Sequence, residues 1–171
     1  MTDRHFILAS GSPRRRQLLQ ILGMQFTVIP SEVEETPSHG EESVSYAARA
    51  AREKALDVAE RHPGQLVLGA DTVVEVDSEI LGKPSSTEEA ANMLRRLSGR
   101  SHLVHTAVTL AGNGKVHEVV DSARVEFVDL DDEKIRWYIA TGEPMDKAGA
   151  YAVQGLGGLL VARVDGCVQL V

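Results

Sequence analysis

The sequence contains very little cysteine and few aromatic residues. Its 171 residues include one cysteine, Cys167, and phenylalanine, tryptophan and tyrosine together make up 4% of the chain. A single cysteine has no partner for an internal disulfide, which excludes a disulfide-stapled secreted scaffold and is typical of the reducing cytoplasm. Long apolar runs are missing too, and the N-terminus lacks the apolar core of a signal peptide, so we expect a cytoplasmic protein with no membrane partner.

Basic residues are fewer than acidic ones. The chain carries 18 lysines and arginines against 25 aspartates and glutamates, a net charge of −7. Binding to a nucleic-acid duplex needs a broad basic surface, so the composition predicts no nucleic-acid partner. Local groups of arginine and lysine in an acidic chain indicate a small anionic ligand instead. The length suits a single domain over residues 1–171 with a sizeable core.

Strand and helix patterns alternate along the chain, which predicts an α/β fold. We expect strands at 6–9, 25–29, 66–70, 73–76, 80–81, 103–110 and 116–128, and helices at 13–22, 44–59, 86–97 and 131–139. A last hairpin of 159–164 and 167–171 completes the prediction. No predicted element covers its apolar second strand, so either the domain ends in a buried strand or the natural protein continues beyond Val171.

The segment Ser10-Gly-Ser-Pro-Arg-Arg15 joins the first strand to the first helix. Ser12 followed by Pro13 predicts an N-cap with proline at the first helical position. The N–H groups of a helix N-terminus suit an anion, whereas Arg14 and Arg15 in the first turn oppose the helix dipole. Two interpretations remain open: a site for a phosphate or carboxylate, or a solvated basic turn.

Asp71 follows the apolar strand 66–70, and open α/β sheets commonly bind their ligands at strand ends. A carboxylate there can bind a divalent metal or accept a proton from water, although strand-end aspartates more often form Asx turns or helix caps. Glu35, in an acidic loop, either completes a metal site with Asp71 or is merely solvated.

Lys83 lies in the turn Leu81-Gly-Lys-Pro84, which is not a P-loop, because Asp77 stands where the first glycine belongs. A rigid turn can still present a lysine to phosphate as a point charge, and the alternative is an ordinary surface lysine. His102 and His105 have a three-residue spacing, which on a strand points them to opposite faces and favours two separate surface or core histidines over a metal pair.

The segment 146–155 combines small residues and glycines with Tyr151 and Gln154. Such a segment lets the backbone approach a flat ligand, and a side-chain amide can recognise donor and acceptor edges. The alternative is a mobile loop. Together, the cations and carboxylates singled out so far suit phosphoryl transfer from a nucleotide or a similar ester. They are Arg14, Arg15, Lys54, Lys83, Glu35 and Asp71.

Eight motifs follow one another along the chain: Ser10-Gly-Ser-Pro-Arg-Arg15, Glu34-Glu35, Lys54-Ala55, Gly69-Ala-Asp-Thr72, Gly82-Lys-Pro84, Met93-Leu-Arg-Arg-Leu-Ser-Gly99, His102 through Thr106 and Gly142-Glu-Pro-Met-Asp-Lys-Ala-Gly-Ala-Tyr151. In these motifs the chain resembles the Maf family of nucleoside triphosphate pyrophosphatases, which are also described as septum-formation inhibitors. The resemblance implies an elongated mixed sheet flanked by helices, related to the inosine triphosphatases, with a cleft between two lobes. It also implies a homodimer.

The resemblance further implies a reaction and its residues. A nucleoside triphosphate is hydrolysed between its α and β phosphates, with Mg²⁺ or Mn²⁺ as cofactor. Asp71 activates water, directly or through the metal, and Glu35 is the second acidic residue of the site. Gln154 is the candidate base reader of a branch that prefers dTTP, UTP and sometimes CTP, with Thr72 a weaker candidate. The implied phosphate binders are Ser10, Arg14, Arg15, Lys54 and Lys83.

Two departures from the family pattern bear on function. Ala152-Val153 replaces the more usual Gly-Ile, and the resemblance leads us to expect a Val-Gly-Leu-Pro segment and a C-terminal helix beyond Val171. The main hypothesis is a pyrimidine triphosphate pyrophosphatase. Its rival is a nucleotide-binding regulator of cell division, and a third, weaker hypothesis is a house-cleaning pyrophosphatase for modified nucleotides.

Overall fold

Seven strands and four α-helices alternate along residues 5–171, the part of the chain that the computed structural model describes. The strands are β1 (Phe6–Leu8), β2 (Phe26–Val28), β3 (Val67–Val76), β4 (Glu79–Leu81), β5 (Ser101–Gly112), β6 (Lys115–Phe127) and β7 (Val161–Asp165). The helices are α1 (Pro13–Ile21), α2 (Ser43–Arg61), α3 (Thr87–Leu97) and α4 (Asp132–Ala140). None of these helices combines the length and apolar content that a bilayer-spanning helix needs.

The strands form one mixed sheet in the order β2-β1-β3-β5-β6-β7, with β4 paired to β3. β1 pairs in parallel with β2 and β3, whereas the β3–β4 and β6–β7 pairs are antiparallel. The turn between β5 and β6 places Asn113 and Gly114 at φ of 53° and 71°, the left-handed conformation that tight hairpins require. The predicted α/β class and mixed sheet are confirmed.

The chain divides into two compact units. The first unit comprises the described residues up to Glu41, together with Ser45–Asp71 and Ala107–Val120. The second unit comprises Glu42–Val44, Thr72–Thr106 and Asp121–Val171. The single domain over 1–171 and its cleft stay predictions.

In the first unit, α2 packs against β3 through small residues. A Cβ on Gly69 would lie 2.3 Å from the carbonyl oxygen of Ala51 and 2.7 Å from the backbone nitrogen of Ala55. Any side chain on Gly69 would therefore push the helix away from the strand. Because of this close approach, Ala51 and Ala55 are fully buried. Lys54, the neighbour of Ala55 on α2, is buried as well.

In the second unit, α3 and α4 cover a core that includes Leu94, Leu97, Phe127 and Tyr138. Ser86 caps α3, because its side-chain oxygen accepts a hydrogen bond from the backbone N–H of Glu89 at 3.1 Å. The Ser-x-x-Glu pattern thus forms the predicted helix start.

The prediction of a strand at 167–171, the second strand of the last hairpin, is wrong. β7 pairs with β6, but residues Val168–Leu170 form a short 3-10 helix instead of a strand. The carbonyl oxygen of Leu170 accepts a hydrogen bond from the Thr106 hydroxyl at 2.8 Å. A short, mostly apolar segment such as Val168-Gln-Leu-Val171 fits a strand or a helical turn equally well, so periodicity alone does not separate them.

Candidate active site

The loop after β1 and the first turn of α1 hold Arg15 in place. Ser12 caps α1, as predicted, by accepting a hydrogen bond from the backbone N–H of Arg15. The Arg15 guanidinium donates through Nη1 to Ser10 Oγ at 3.1 Å and to the carbonyl oxygen of Ala70 at 2.6 Å. The structure therefore brings Ser10 and Arg15 together and excludes a purely solvated turn for this arginine. Arg14, beside it, is half-buried.

Burial lowers the pKa of the Arg15 guanidinium, and the charge of Arg14 lowers it further. The carboxylates Asp71 and Glu35 oppose this effect. Arginine stays protonated at neutral pH even after a sizeable decrease, so Arg15 presents a positive charge in a desolvated position. A partly buried arginine of this kind is suited to a phosphate, since its fork of donors matches phosphate oxygens.

Lys54 contacts both candidate acidic residues of the site. Its Nζ lies 2.7 Å from Asp71 Oδ1 and 2.9 Å from Glu35 Oε1. The side chains of Lys54 and Asp71 are 6% and 8% exposed, whereas that of Glu35 is 39% exposed. A buried ammonium is tolerated when it is paired and hydrogen-bonded, which the two carboxylates provide here. We call Lys54, Asp71 and Glu35 the charged cluster.

Asp71 lies in the middle of β3 rather than at a strand end, so the sequence prediction is wrong on this point. β1 ends beside the first half of β3, where Leu8 pairs with Leu68, and β3 continues past it. Asp71 is therefore close to the loop that follows the carboxyl end of β1. We expected the site to lie at the carboxyl end of β3. It lies instead beside the carboxyl end of β1.

Tyr46 belongs to the surroundings of the charged cluster, although sequence reasoning missed it. Burial, together with the negative charges of Asp71 and Glu35, raises the pKa of its hydroxyl to about 12. The phenol therefore stays protonated at neutral pH. Tyr46 precedes Lys54 on α2 by eight residues, about two helical turns, and that spacing is the signal that would have found it.

A divalent cation at this site would have few protein ligands. Within residues 5–171, no group of three or more histidine, cysteine, aspartate or glutamate side chains is arranged for a metal ion. Mg²⁺ nevertheless often binds through one or two carboxylates, several waters and the phosphates of a substrate. The two carboxylates of the charged cluster fit a cation that arrives with a triphosphate, and they do not fit an all-protein cage.

Thr72 and Lys83 belong to the second unit. Thr72 Oγ1 lies 2.9 Å from Thr106 Oγ1. Thr106 has one hydroxyl hydrogen, which it donates to Leu170, so Thr72 is the donor in this threonine pair. Lys83 is exposed in the loop between β4 and α3. The roles of Thr72 in base binding and of Lys83 in phosphate binding stay predictions.

Gln154 is exposed in the irregular segment before the 3-10 helix Leu156–Leu160. Glu143 holds the start of that helix, because its carboxylate accepts the backbone N–H groups of Leu156 and Gly157, both at 3.0 Å. Tyr138 donates its hydroxyl to the same carboxylate at 2.8 Å. These hydrogen bonds argue against a mobile loop at the residues that follow Gln154. Sequence reasoning assigned no role to Glu143.

His102 and His105 are both buried and have separate partners, as expected for core histidines. His102 Nε2 lies 2.6 Å from the Tyr151 hydroxyl. His105 contacts Ser122 through Nδ1 at 2.7 Å and Glu75 through Nε2 at 3.3 Å.

An α/β sheet with a partly buried arginine at a helix start and a charged cluster beside it is typical of a phosphate-handling protein. The model of the family described as "Maf-like protein" matches residues 5–171, and the chain belongs to this family. A Myxococcus xanthus protein named dTTP/UTP pyrophosphatase is 54% identical over 94% of this chain and 81% of its own length. A protein of the same name from Symbiobacterium thermophilum is 47% identical, over 95% and 84%.

The crystal structure of protein VC0702 from Vibrio cholerae aligns with 78% of this chain and 70% of that chain, at a TM-score of 0.40 and 14% identity. That likeness is too remote to bear on the fold or the site.

Proposed function

We propose that this protein hydrolyses dTTP and UTP to the nucleoside monophosphate and pyrophosphate, with CTP a weaker substrate. The observation that carries the proposal is the charged cluster, in which Lys54 contacts Asp71 and Glu35 close to Arg15. Two relatives, 47% and 54% identical to this chain and named dTTP/UTP pyrophosphatase, support dTTP and UTP as the substrates. The retained carboxylates favour an enzyme over a nucleotide-binding regulator, because binding alone needs no group that accepts a proton from water.

Cationic groups of the first unit bind the phosphates. The N–H groups at the start of α1 and the guanidinium groups of Arg14 and Arg15 stabilise the negative charge that develops on phosphate oxygens. Ser10 receives a hydrogen bond from Arg15 and so helps to fix its orientation. Lys83 is proposed as a further phosphate-binding residue.

Asp71 accepts the proton of the attacking water. The water oxygen forms a bond to the α-phosphorus, the bond from that phosphorus to the bridging oxygen breaks, and pyrophosphate leaves with the electron pair. Lys54 fixes the orientation of the Asp71 carboxylate through its contact with Oδ1. Asp71 and Glu35 would hold Mg²⁺ or Mn²⁺, and the ion would supply positive charge that neutralises the phosphates.

A homodimer, a cytoplasmic location and a single domain complete the proposal. They follow from the family resemblance and the composition, and each stays a prediction. Sedimentation equilibrium on the purified chain tests the dimer directly.

The direct test measures pyrophosphate release by the purified protein with Mg²⁺ or Mn²⁺. The substrates are dTTP, UTP, CTP, GTP, 7-methyl-GTP and ITP. We expect release from dTTP and UTP, less from CTP, and little from the purine nucleotides. Preference for ITP or 7-methyl-GTP would favour the house-cleaning hypothesis. The proposed activity would be contradicted if no substrate released pyrophosphate while the circular dichroism spectrum was that of a folded α/β protein.

Gln154→Glu should change base preference more than overall rate. A glutamine amide can both donate to the O4 carbonyl of uracil and accept from its N3–H, whereas a carboxylate only accepts. We expect the ratio of kcat/KM for UTP over CTP to fall about tenfold, the factor that ~1.4 kcal/mol produces. Steady-state kinetics on both substrates measure this ratio.

Gln65→Glu is the matched control for this variant, since Gln65 is also exposed and the change in charge is the same. The control should leave the ratio unchanged. A uniform decrease across UTP, dTTP and CTP in Gln154→Glu would remove Gln154 from base recognition.

A further inference from the structure

Two consecutive residues before Tyr151 adopt the left-handed backbone conformation. Gly149 has φ of 67°, which glycine adopts without strain, and Ala150 has φ of 60°. An alanine in this region is strained, because its Cβ crowds the following carbonyl oxygen. Ala150 is fully buried, so solvent does not stabilise the conformation. A strained residue persists only where its surroundings hold it.

Tyr151, the residue after Ala150, is held in the core by several contacts. Its hydroxyl lies 2.6 Å from His102 Nε2. Its ring packs edge-to-face against Phe127, with centroids 4.7 Å apart, and against His102, at 5.3 Å. All three side chains are buried. The residue that follows the strained alanine is therefore held on several sides by the core.

Only one of the two ring nitrogens of His102 has a hydrogen-bond partner among the described residues. Burial lowers the pKa of its imidazole to about 4, so the ring is neutral at pH 7. Among residues 5–171, Nδ1 has no hydrogen-bond partner, and the Nε2 contact to Tyr151 is the polar contact of the ring. A buried polar atom without a partner costs stability, so a histidine here needs a compensating role. Holding the Tyr151 hydroxyl is that role.

The segment that contains Ala150 also leads to two predicted substrate contacts. The backbone N–H of Gly149 donates to the carbonyl oxygen of Gly82 at 3.0 Å, and Lys83 is the next residue after Gly82. Gln154 follows Tyr151 by three residues. A shift of residues 149–151 would therefore move both the Lys83 turn and the start of the Gln154 segment.

We propose that the hydrogen bond between His102 and Tyr151 holds Ala150 in its left-handed conformation and thereby positions Gln154 for base selection. His102 and Tyr151 are positioning residues, not catalytic ones. The link to base selection rests on the proposed function of this protein, whereas the link to the backbone of Ala150 does not.

The test compares Tyr151→Phe, Ala150→Gly and the double variant. Tyr151→Phe keeps the ring and removes the hydroxyl. We expect the UTP over CTP ratio of kcat/KM to fall about fivefold, mainly through KM for UTP, since removing one buried hydrogen-bond partner has an effect of this order. Ala150→Gly alone should have little effect, because glycine adopts the left-handed conformation without strain. The double variant should recover most of the ratio.

A merely structural role for Tyr151 predicts the opposite for the double variant. Ala150→Gly also removes a buried methyl group, so in a loosened core it would add to the damage instead of repairing it. A double variant that is worse than Tyr151→Phe, or a ratio that Tyr151→Phe leaves unchanged, would overturn the proposal.

Amide hydrogen exchange provides a readout that needs no activity. Exchange of the peptide covering residues 147–155 should quicken in Tyr151→Phe and return towards the parent rate in the double variant. If the protein hydrolysed neither dTTP nor UTP, this pattern would still support the positioning of Ala150 and only the proposed function would fail. Unchanged exchange in Tyr151→Phe would reject the positioning role by itself.

Discussion

Asp71→Asn is expected to lower kcat for dTTP and UTP by at least about a hundredfold, the low end of what a general base contributes. The amide cannot accept a proton from water, and it is a much weaker ligand for Mg²⁺ than a carboxylate. The fold should survive, because Lys54 keeps Glu35 as a counter-ion at 2.9 Å and can donate to the new amide oxygen. Steady-state pyrophosphate release and urea unfolding measure the two effects separately.

Asp77→Asn is the control for this change. Asp77 is an exposed aspartate in the turn between β3 and β4, paired with Arg100, and no part of the mechanism uses it. A kcat for Asp71→Asn within about tenfold of the parent, a loss of only ~1.4 kcal/mol, would show that Asp71 is neither base nor ligand.

The two roles of Asp71 differ in how the variant responds to added cation. If Asp71 acts mainly as a metal ligand, a higher Mn²⁺ concentration should restore a large part of the lost activity. If it acts mainly as the base, activity should stay low at saturating Mn²⁺. A titration of cation against initial rate decides between them.

Local features of the fold were predictable because each depends on residues close together in the sequence. Ser12 and Ser86 cap helices through N–H groups three residues ahead, and Asn113-Gly114 forms the turn of the β5–β6 hairpin. Such signals are short-range and depend on one or two side chains. The strands and helices that they delimit were therefore placed within a few residues.

The sequence identified the residues of the charged cluster but could not predict the contacts between them. Lys54 and Asp71 are both prominent in the sequence, but their contact depends on the close packing of α2 on β3 at Gly69. That packing is a tertiary property, which periodicity does not reveal. The same holds for Glu143, since its partners Leu156 and Gly157 lie more than ten residues later.

Errors arose where a short apolar run allows two structures. The run 168–171 was predicted as a strand, and it forms a 3-10 turn whose Leu170 carbonyl is bonded to Thr106. Asp71 was predicted to end a strand because it directly follows the apolar run 66–70. β3 continues through it because Lys54 neutralises the charge at that position.

Lys54→Met is expected to have the largest effect on stability. It leaves the buried Asp71 carboxylate without its ammonium partner and beside a second carboxylate, Glu35. Breaking a buried ion pair by removing one partner costs about 3–5 kcal/mol in comparable cases. The free energy of unfolding, measured in urea, should fall by an amount in this range, and activity should be lost with it.

The double variant Lys54→Met with Asp71→Asn tests the cause. Without the Asp71 charge, the buried methionine faces a neutral amide, so the double variant should be more stable than Lys54→Met alone. Lys134→Met is the matched control, because Lys134 is exposed and its 3.9 Å pair with Asp131 should contribute less than about 1 kcal/mol. Additive effects in the double variant would show that Lys54 and Asp71 are not energetically coupled, so that the unpaired Asp71 charge is not the cause of the lost stability.

A double variant that regains stability but not activity would separate the two reasons for the charged cluster. An apolar replacement of a buried ion pair can be as stable as the pair itself, so stability alone does not require Lys54 and Asp71. Their retention would then follow from the chemistry, in which Asp71 acts from a buried position and Lys54 orients its carboxylate. A double variant as unstable as Lys54→Met would instead assign the buried pair to folding as well as to catalysis.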